Sequence, residues 1–144
     1  MNVKSAEMML WLKGFAFAAM LAGKPGLTPL TRWLMRLAAW YSLIMKRGQP
    51  KTSLREVVDE WQRMFPSPRI NRLVSIDADT AYAEVHVHCP LRGTGDITAC
   101  YRLMEYDRAM LERIGGQLVV LKSQAEPGRS VCEVALRLQD ADNQ

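Results

Sequence analysis

The chain has 144 residues, of which 49% are hydrophobic and 24% charged, enough apolar material for one core of moderate size and too much for a disordered segment. A net charge of +4 with no Lys/Arg-rich run lacks the electrostatic footprint of a nucleic-acid binder, so nucleic acid is not an expected partner. Three cysteines, Cys89, Cys100 and Cys132, cannot all pair within one chain, and their spacing is not a secreted disulfide framework. A reducing cytoplasm is the expected setting, with each cysteine a free thiol, a buried thiol or a metal ligand.

The first expected element is a helix from about Ser5 to Ala22, ended by Gly23 before Pro25. Met8 to Ala22 is apolar except at Lys13 and Gly14, shorter than the roughly 20 residues of a membrane span. Lys4 is offset by Glu7, and no small-residue cleavage site follows. A buried or dimer-forming helix is therefore expected, ahead of a signal sequence or a membrane-surface helix; a membrane is not an expected partner, and a homodimer is. The second helix opens at Thr28 as N-cap with Pro29 in its first turn and closes at Gly48 and Pro50. Leu30, Trp33, Leu34, Leu37, Tyr41 and Ile44 recur every three or four residues and predict its apolar stripe. Ser53-Leu54-Arg55-Glu56 is a capping box opening a third helix, with Leu54, Val57, Val58, Trp61 and Phe65 as the stripe and Pro66 and Pro68 as the stop. Trp11, Trp33, Trp40 and Trp61 all fall in this helical half and are expected in the core, with an apolar ligand pocket or a dimer seam as the alternative.

The period then changes. Ile70 to Ile76, a turn at Asp77-Ala78-Asp79 and Thr80 to His88 read as a hairpin. In its second strand Ala81, Ala83, Val85 and Val87 point one way, and Tyr82, Glu84, His86 and His88 the other. Gly93-Thr94-Gly95-Asp96 is a turn with Asp96 as N-cap, followed by one helix from about Ile97 to Ile114 that ends at Gly115-Gly116. Strands at Gln117 to Gln124 and Ser130 to Leu138 follow, joined by a turn at Glu126-Pro127-Gly128-Arg129, and the tail from Gln139 is expected to fray. The expected fold class is α+β: three N-terminal helices (residues 1–66), then a β-β-α-β-β antiparallel sheet unit (residues 70–138), together one domain over 1–144.

The cluster with most chemistry is Glu84, His86, His88, Cys89 and Cys100, and it contains both histidines of the chain. Carboxylate, imidazole and thiolate are all zinc ligands, so Glu84, His86, His88 and Cys100 form a candidate metal set, with a metal-free polar pocket and an ordinary wet strand as the alternatives. Cys89, or a metal-bound water, with His88 as base is the candidate catalytic arrangement, a plain buried Cys89 being the alternative, and Glu84, His86 and Cys100 are the candidate ligand contacts. Cys100, in the first turn of its helix, is a better thiolate candidate than Cys132, which shares a strand face with Val134, Leu136 and Leu138 and is expected in the core. Gly93-Thr94-Gly95 lacks the Walker lysine and the dinucleotide glycine pattern.

His88-Cys89-Pro90, Asp96, Ala99-Cys100, the helix ending in Gly115-Gly116 and the segment Ser123 to Cys132 together resemble two related groups of bacterial and archaeal domains. One is the 4-vinyl-reductase-type small-molecule-binding domain, also found in regulators that sense aromatic compounds. The other is the L-2-amino-thiazoline-4-carboxylic acid hydrolase family. The resemblance covers about 50 residues, from His88 to Arg137. It implies a small-molecule-binding, hydrolase-like domain acting on a small C–N or C–S compound, or a non-catalytic ligand-sensing or dimeric interaction subunit. It also implies zinc, held by a carboxylate at Glu84 and thiols at Cys100 and Cys132. The remaining cysteine of that set falls near Gln124, where this chain has no thiol, so His86 or His88 would have to replace it. The hydrolase-type group instead implies a reactive pocket at Cys89.

Overall fold

A computed structural model describes residues 2–140; Met1 and residues 141–144, the end of the tail expected to fray, lie outside it. The class is α+β, with three N-terminal helices followed by the four-stranded antiparallel sheet. Helix α1 spans Val3–Ala22, α2 Thr28–Met45 and α3 Leu54–Arg63; strands β1 (Asn71–Ile76) and β2 (Ala81–Val85) follow. Then come α4 (Ile97–Leu103), α5 (Glu105–Ile114), β3 (Gly116–Lys122) and β4 (Cys132–Leu138). The sheet order is β1-β2-β4-β3 and every pairing is antiparallel, so the last strand is inserted beside the first hairpin.

The helices form two tiers on one face of the sheet. Trp61, Val57 and Val58 of α3 and Met110, Leu111 and Ile114 of α5 are wholly buried beside Val134 and Leu136 of β4. Ser53 caps α3 by accepting the Glu56 N–H, while its hydroxyl donates to the Glu56 carboxylate at 2.7 Å. Gly115 ends α5 in the left-handed region at φ +99°, and a Cβ there would stand 2.6 Å from the Lys51 carbonyl oxygen, so only glycine serves. Helix α2 is tied to α5 by the buried Glu105, which accepts from Arg36 at 2.9 Å and Arg108 at 3.2 Å. Burial opposes ionisation of that carboxyl, but the two guanidiniums outweigh it and hold it below the ordinary glutamate range.

Several expectations are corrected. A short 3-10 turn, Pro25–Leu27, precedes α2, so Thr28 is the first helical residue rather than the cap; its hydroxyl donates back to the Pro25 carbonyl. The stripe read on α2 is its outer face. Thr31, Met35, Ala39 and Leu43 are the residues that turn inward, whereas Leu30, Trp33, Leu37, Tyr41 and Ile44 are exposed. Of the four tryptophans only Trp61 is fully buried; Trp11 is half-buried, and Trp33 and Trp40 are 59% and 53% exposed. The helix expected over Ile97–Ile114 breaks at Met104, where Arg108 swings back to donate to the Tyr101 carbonyl. Strand β2 stops at Val85 instead of reaching His88, because the following backbone groups pair elsewhere: the His86 N–H with the Ile70 carbonyl, and the Val87 carbonyl with the Gln124 side chain.

Helix α1 buries only its alanine end, Ala18, Ala19 and Ala22, and is otherwise a half-covered lid. Among the described residues it is the one helix long and apolar enough to cross a membrane, with 17% of its most apolar stretch buried.

Candidate functional site

Between the α1–α2 tier and the sheet lies a cavity of about 610 Å³. Trp11, Phe15 and Ala18 of α1 and Met35, Ala38 and Ser42 of α2 form one wall. Asn71 of β1, Val85 of β2 and Cys132 of β4 form another, continued by Val87 and Cys89. Cys100, Leu103, Tyr106 and Asp107 close it from α4 and α5. Leu10, Tyr41 and Met45 line the cavity and are also well exposed, which puts its mouth between α1 and α2.

All three thiols are buried, unpaired and on the cavity wall. Cys132 donates its S–H to the Cys100 sulfur, and this is the largest reason the Cys100 thiol is lowered to about 7; burial opposes it, and the Ser123 hydroxyl and the Arg108 charge add to it. Cys132 is pushed up in turn by that same bond and by burial, although its sulfur accepts the Gln124 backbone N–H at 3.3 Å. Cys89 is also raised, chiefly by burial. One thiolate with a protonated neighbour is therefore available near neutral pH, and it is Cys100.

Two further ionisable groups face the same space. Burial raises the Asp107 carboxyl to about 6 even though Trp61 Nε1 donates to it at 3.0 Å. Burial raises Tyr106 to about 12, with its hydroxyl 2.8 Å from Ser42 Oγ. Gln124, nearly inaccessible, holds the wall together. Its Oε1 accepts from the Cys89 N–H and Arg92 Nε, while its Nε2 donates to the Val87 carbonyl at 2.8 Å.

The residues expected from the sequence divide by strand face. Cys89 and Cys100 line the cavity; Glu84, His86 and His88 do not. Alternation puts Glu84 on the face of β2 opposite Val85; past the end of β2, Val87 and Cys89 reach the cavity, and His86 joins Glu84 on the outer side. There His86 Nε2 meets Glu84 Oε2 at 2.7 Å as a half-exposed pair, and His88 is exposed. Of the expected catalytic pair, Cys89 is buried on the cavity wall and its neighbour His88 is exposed outside it.

Of the metal set Glu84, His86, His88 and Cys100, only Cys100 is on the cavity wall, while Glu84 and His86 pair with each other outside it. Glu84 pairs in register with Glu133, next to Cys132, so it also faces away from the thiols. Among the described residues no group of three or more His, Cys, Asp or Glu side chains is placed to hold a metal ion. Of the zinc set implied by the resemblance, Cys100 and Cys132 are together on the cavity wall and Glu84 is not. Sequence reading missed Asp107, Ser123 and Asn71, and placed Cys132 in the core by its strand face and among zinc-binding thiols only through the resemblance. An aspartate on the apolar face of Cys100, Leu103, Met104 and Leu111 was the one visible signal.

No family model, curated protein or solved structure matches the chain. The fold and site define its class no further than an α+β domain with a thiol-lined apolar cavity.

Proposed function

We propose that this chain is a small-molecule-binding domain with hydrolase-like thiol chemistry, its ligand held in the cavity and Cys100 its nucleophile. The observation that carries the reading is the placement of three unpaired thiols, Cys89, Cys100 and Cys132, on the wall of one mostly apolar cavity, with Cys100 the one lowered to about 7. The Cys100 thiolate would attack an electrophilic carbonyl-type carbon, and the bond to the leaving group would break with a proton supplied within the cavity. Water would then release the acyl group from sulfur. Asp107, titrating near 6 on the same wall, is the group suited to carry that proton. The resemblance of residues 88–137 to hydrolase-type domains points the same way, and three unpaired thiols suit a reducing cytoplasm. The test is a burst assay with 4-nitrophenyl butyrate. Wild-type protein should release a stoichiometric burst and carry an acyl mass on Cys100, and Cys100→Ala should do neither. A burst undiminished in that variant would sink the reading.

A second reading, a dimeric ligand-sensing subunit without turnover, is supported by the outer face of α2. Leu30, Trp33, Leu37, Tyr41 and Ile44 form an exposed apolar stripe at helical spacing, which a second copy's equivalent stripe would match in kind. Sedimentation would show a dimer that Trp33→Ser with Leu37→Ser converts to monomer. A monomeric wild type removes this reading.

A further inference from the structure

Asn71 is 1% exposed at the start of β1, on the cavity wall, and neither its side-chain Oδ1 nor its Nδ2 has a hydrogen-bond partner. Among the described residues these are the only buried side-chain polar atoms left without one. Its backbone carbonyl accepts from Gln62 Nε2 at 2.8 Å, and it stands in register with Val85, another wall residue. A leucine of similar size would fill the same space without orphaning two polar atoms. A residue that destabilises its own surroundings is the mark of a group kept for a ligand. The charges nearby narrow that ligand. Of the ionisable groups deep in the cavity, Cys89, Tyr106 and Cys132 are held neutral by raised pKa values, while Cys100 and Asp107 become anionic near neutral pH. Among the described residues the one cation on the wall, Lys46, is already paired with Glu7 at 3.0 Å. An anionic ligand would thus find repulsion inside and no free partner. An asparagine amide offers one acceptor and one donor edge, which a neutral amide complements with two parallel hydrogen bonds.

We propose that Asn71 is the specificity-determining residue of the cavity, and that the ligand is a neutral, largely apolar molecule carrying a carboxamide or lactam edge that pairs with Asn71 Oδ1 and Nδ2. The proposal rests on the cavity being a ligand site, and its test separates the two. Three probes of one shape are titrated against the full chain by quenching of tryptophan fluorescence, Trp11 being on the wall: isoquinolin-1-one, its N-methyl derivative and naphthalene. Wild-type protein should bind the lactam at least tenfold tighter than either of the others. In Asn71→Leu that preference should vanish while naphthalene binds within about threefold of wild type, and the ligand-free melting temperature should rise by several degrees. Equal binding of all three probes to wild type, or a lactam preference that survives Asn71→Leu, overturns the assignment of Asn71 and leaves the cavity reading standing. If naphthalene also fails to bind wild type, both fall together.

Discussion

Lys46 Nζ stands 3.0 Å from Glu7 Oε1, so an ion pair ties the free half of α1 to the end of α2 across the mouth of the cavity. The pair is partly exposed and contributes little to global stability, on the order of 1 kcal/mol or less. Its effect is local, because it joins the two helices where the cavity opens. Lys46→Ala should leave the melting temperature within about two degrees of wild type and accelerate alkylation of Cys100 by a bulky apolar maleimide several-fold. An unchanged rate would show that the pair does not gate the mouth.

The thiol pair predicts a pH profile. Iodoacetamide should modify Cys100 with a midpoint near pH 7, set first by the Cys132 S–H. Removing that donor in Cys132→Ala should move the midpoint upward, and Cys132→Ser, which keeps a donor, should move it less. Peptide mass mapping after timed alkylation distinguishes Cys100 from Cys89 and Cys132; faster labelling of Cys89 would contradict the assignment.

Asp107 predicts a stability difference that depends on pH. Its folded carboxyl titrates near 6 against an ordinary value of 3.8, because burial disfavours the charge. The folded state therefore holds the proton more tightly. Its contribution is most favourable below 3.8, declines as pH rises towards 6 and is constant above that, a loss of about 3 kcal/mol. Asp107→Asn keeps an acceptor for Trp61 and abolishes the titration. Urea denaturation should find the two proteins similar at pH 4 and the variant more stable by up to about 3 kcal/mol at pH 7.5. A difference that does not vary with pH would refute the buried-charge account.

Gln124 predicts the opposite kind of effect. Gln124→Leu strands the Cys89 N–H and the Val87 carbonyl in a buried wall, at a cost of about 2–4 kcal/mol. The loss should appear as a lower melting temperature and as faster proteolysis confined to the segment from His86 to Gly95. Undiminished stability would mean that those backbone groups find other partners.

Much of the architecture was legible because it is written in local chemistry. Ser53 and Asp96 have side chains that satisfy helix N-termini, and Ser53 and Asp96 cap α3 and α4 as read. The alternation through β2 and the glycines after Ile114 likewise placed strand faces and a helix end within a few residues. Helix α2 was misread because it has two faces with apolar residues. Period alone ranks Trp33 and Leu37 above Thr31 and Ala39, yet the close approach of α2 to its neighbours requires the smaller set.

The same limit governs the site. Local sequence determined that Ala81, Ala83 and Val85 share one side of β2 and Tyr82 and Glu84 the other, since period-two alternation needs no partner. Which side faces a cavity was decided only when β4 paired with β2 and the helices settled on the Cys132 face. Cys100 and Cys132, 32 positions apart in the chain, meet through that packing. A thiol's ionisation, an orphaned amide and a buried carboxylate are properties of surroundings built from distant segments, so only the tertiary structure could assign them.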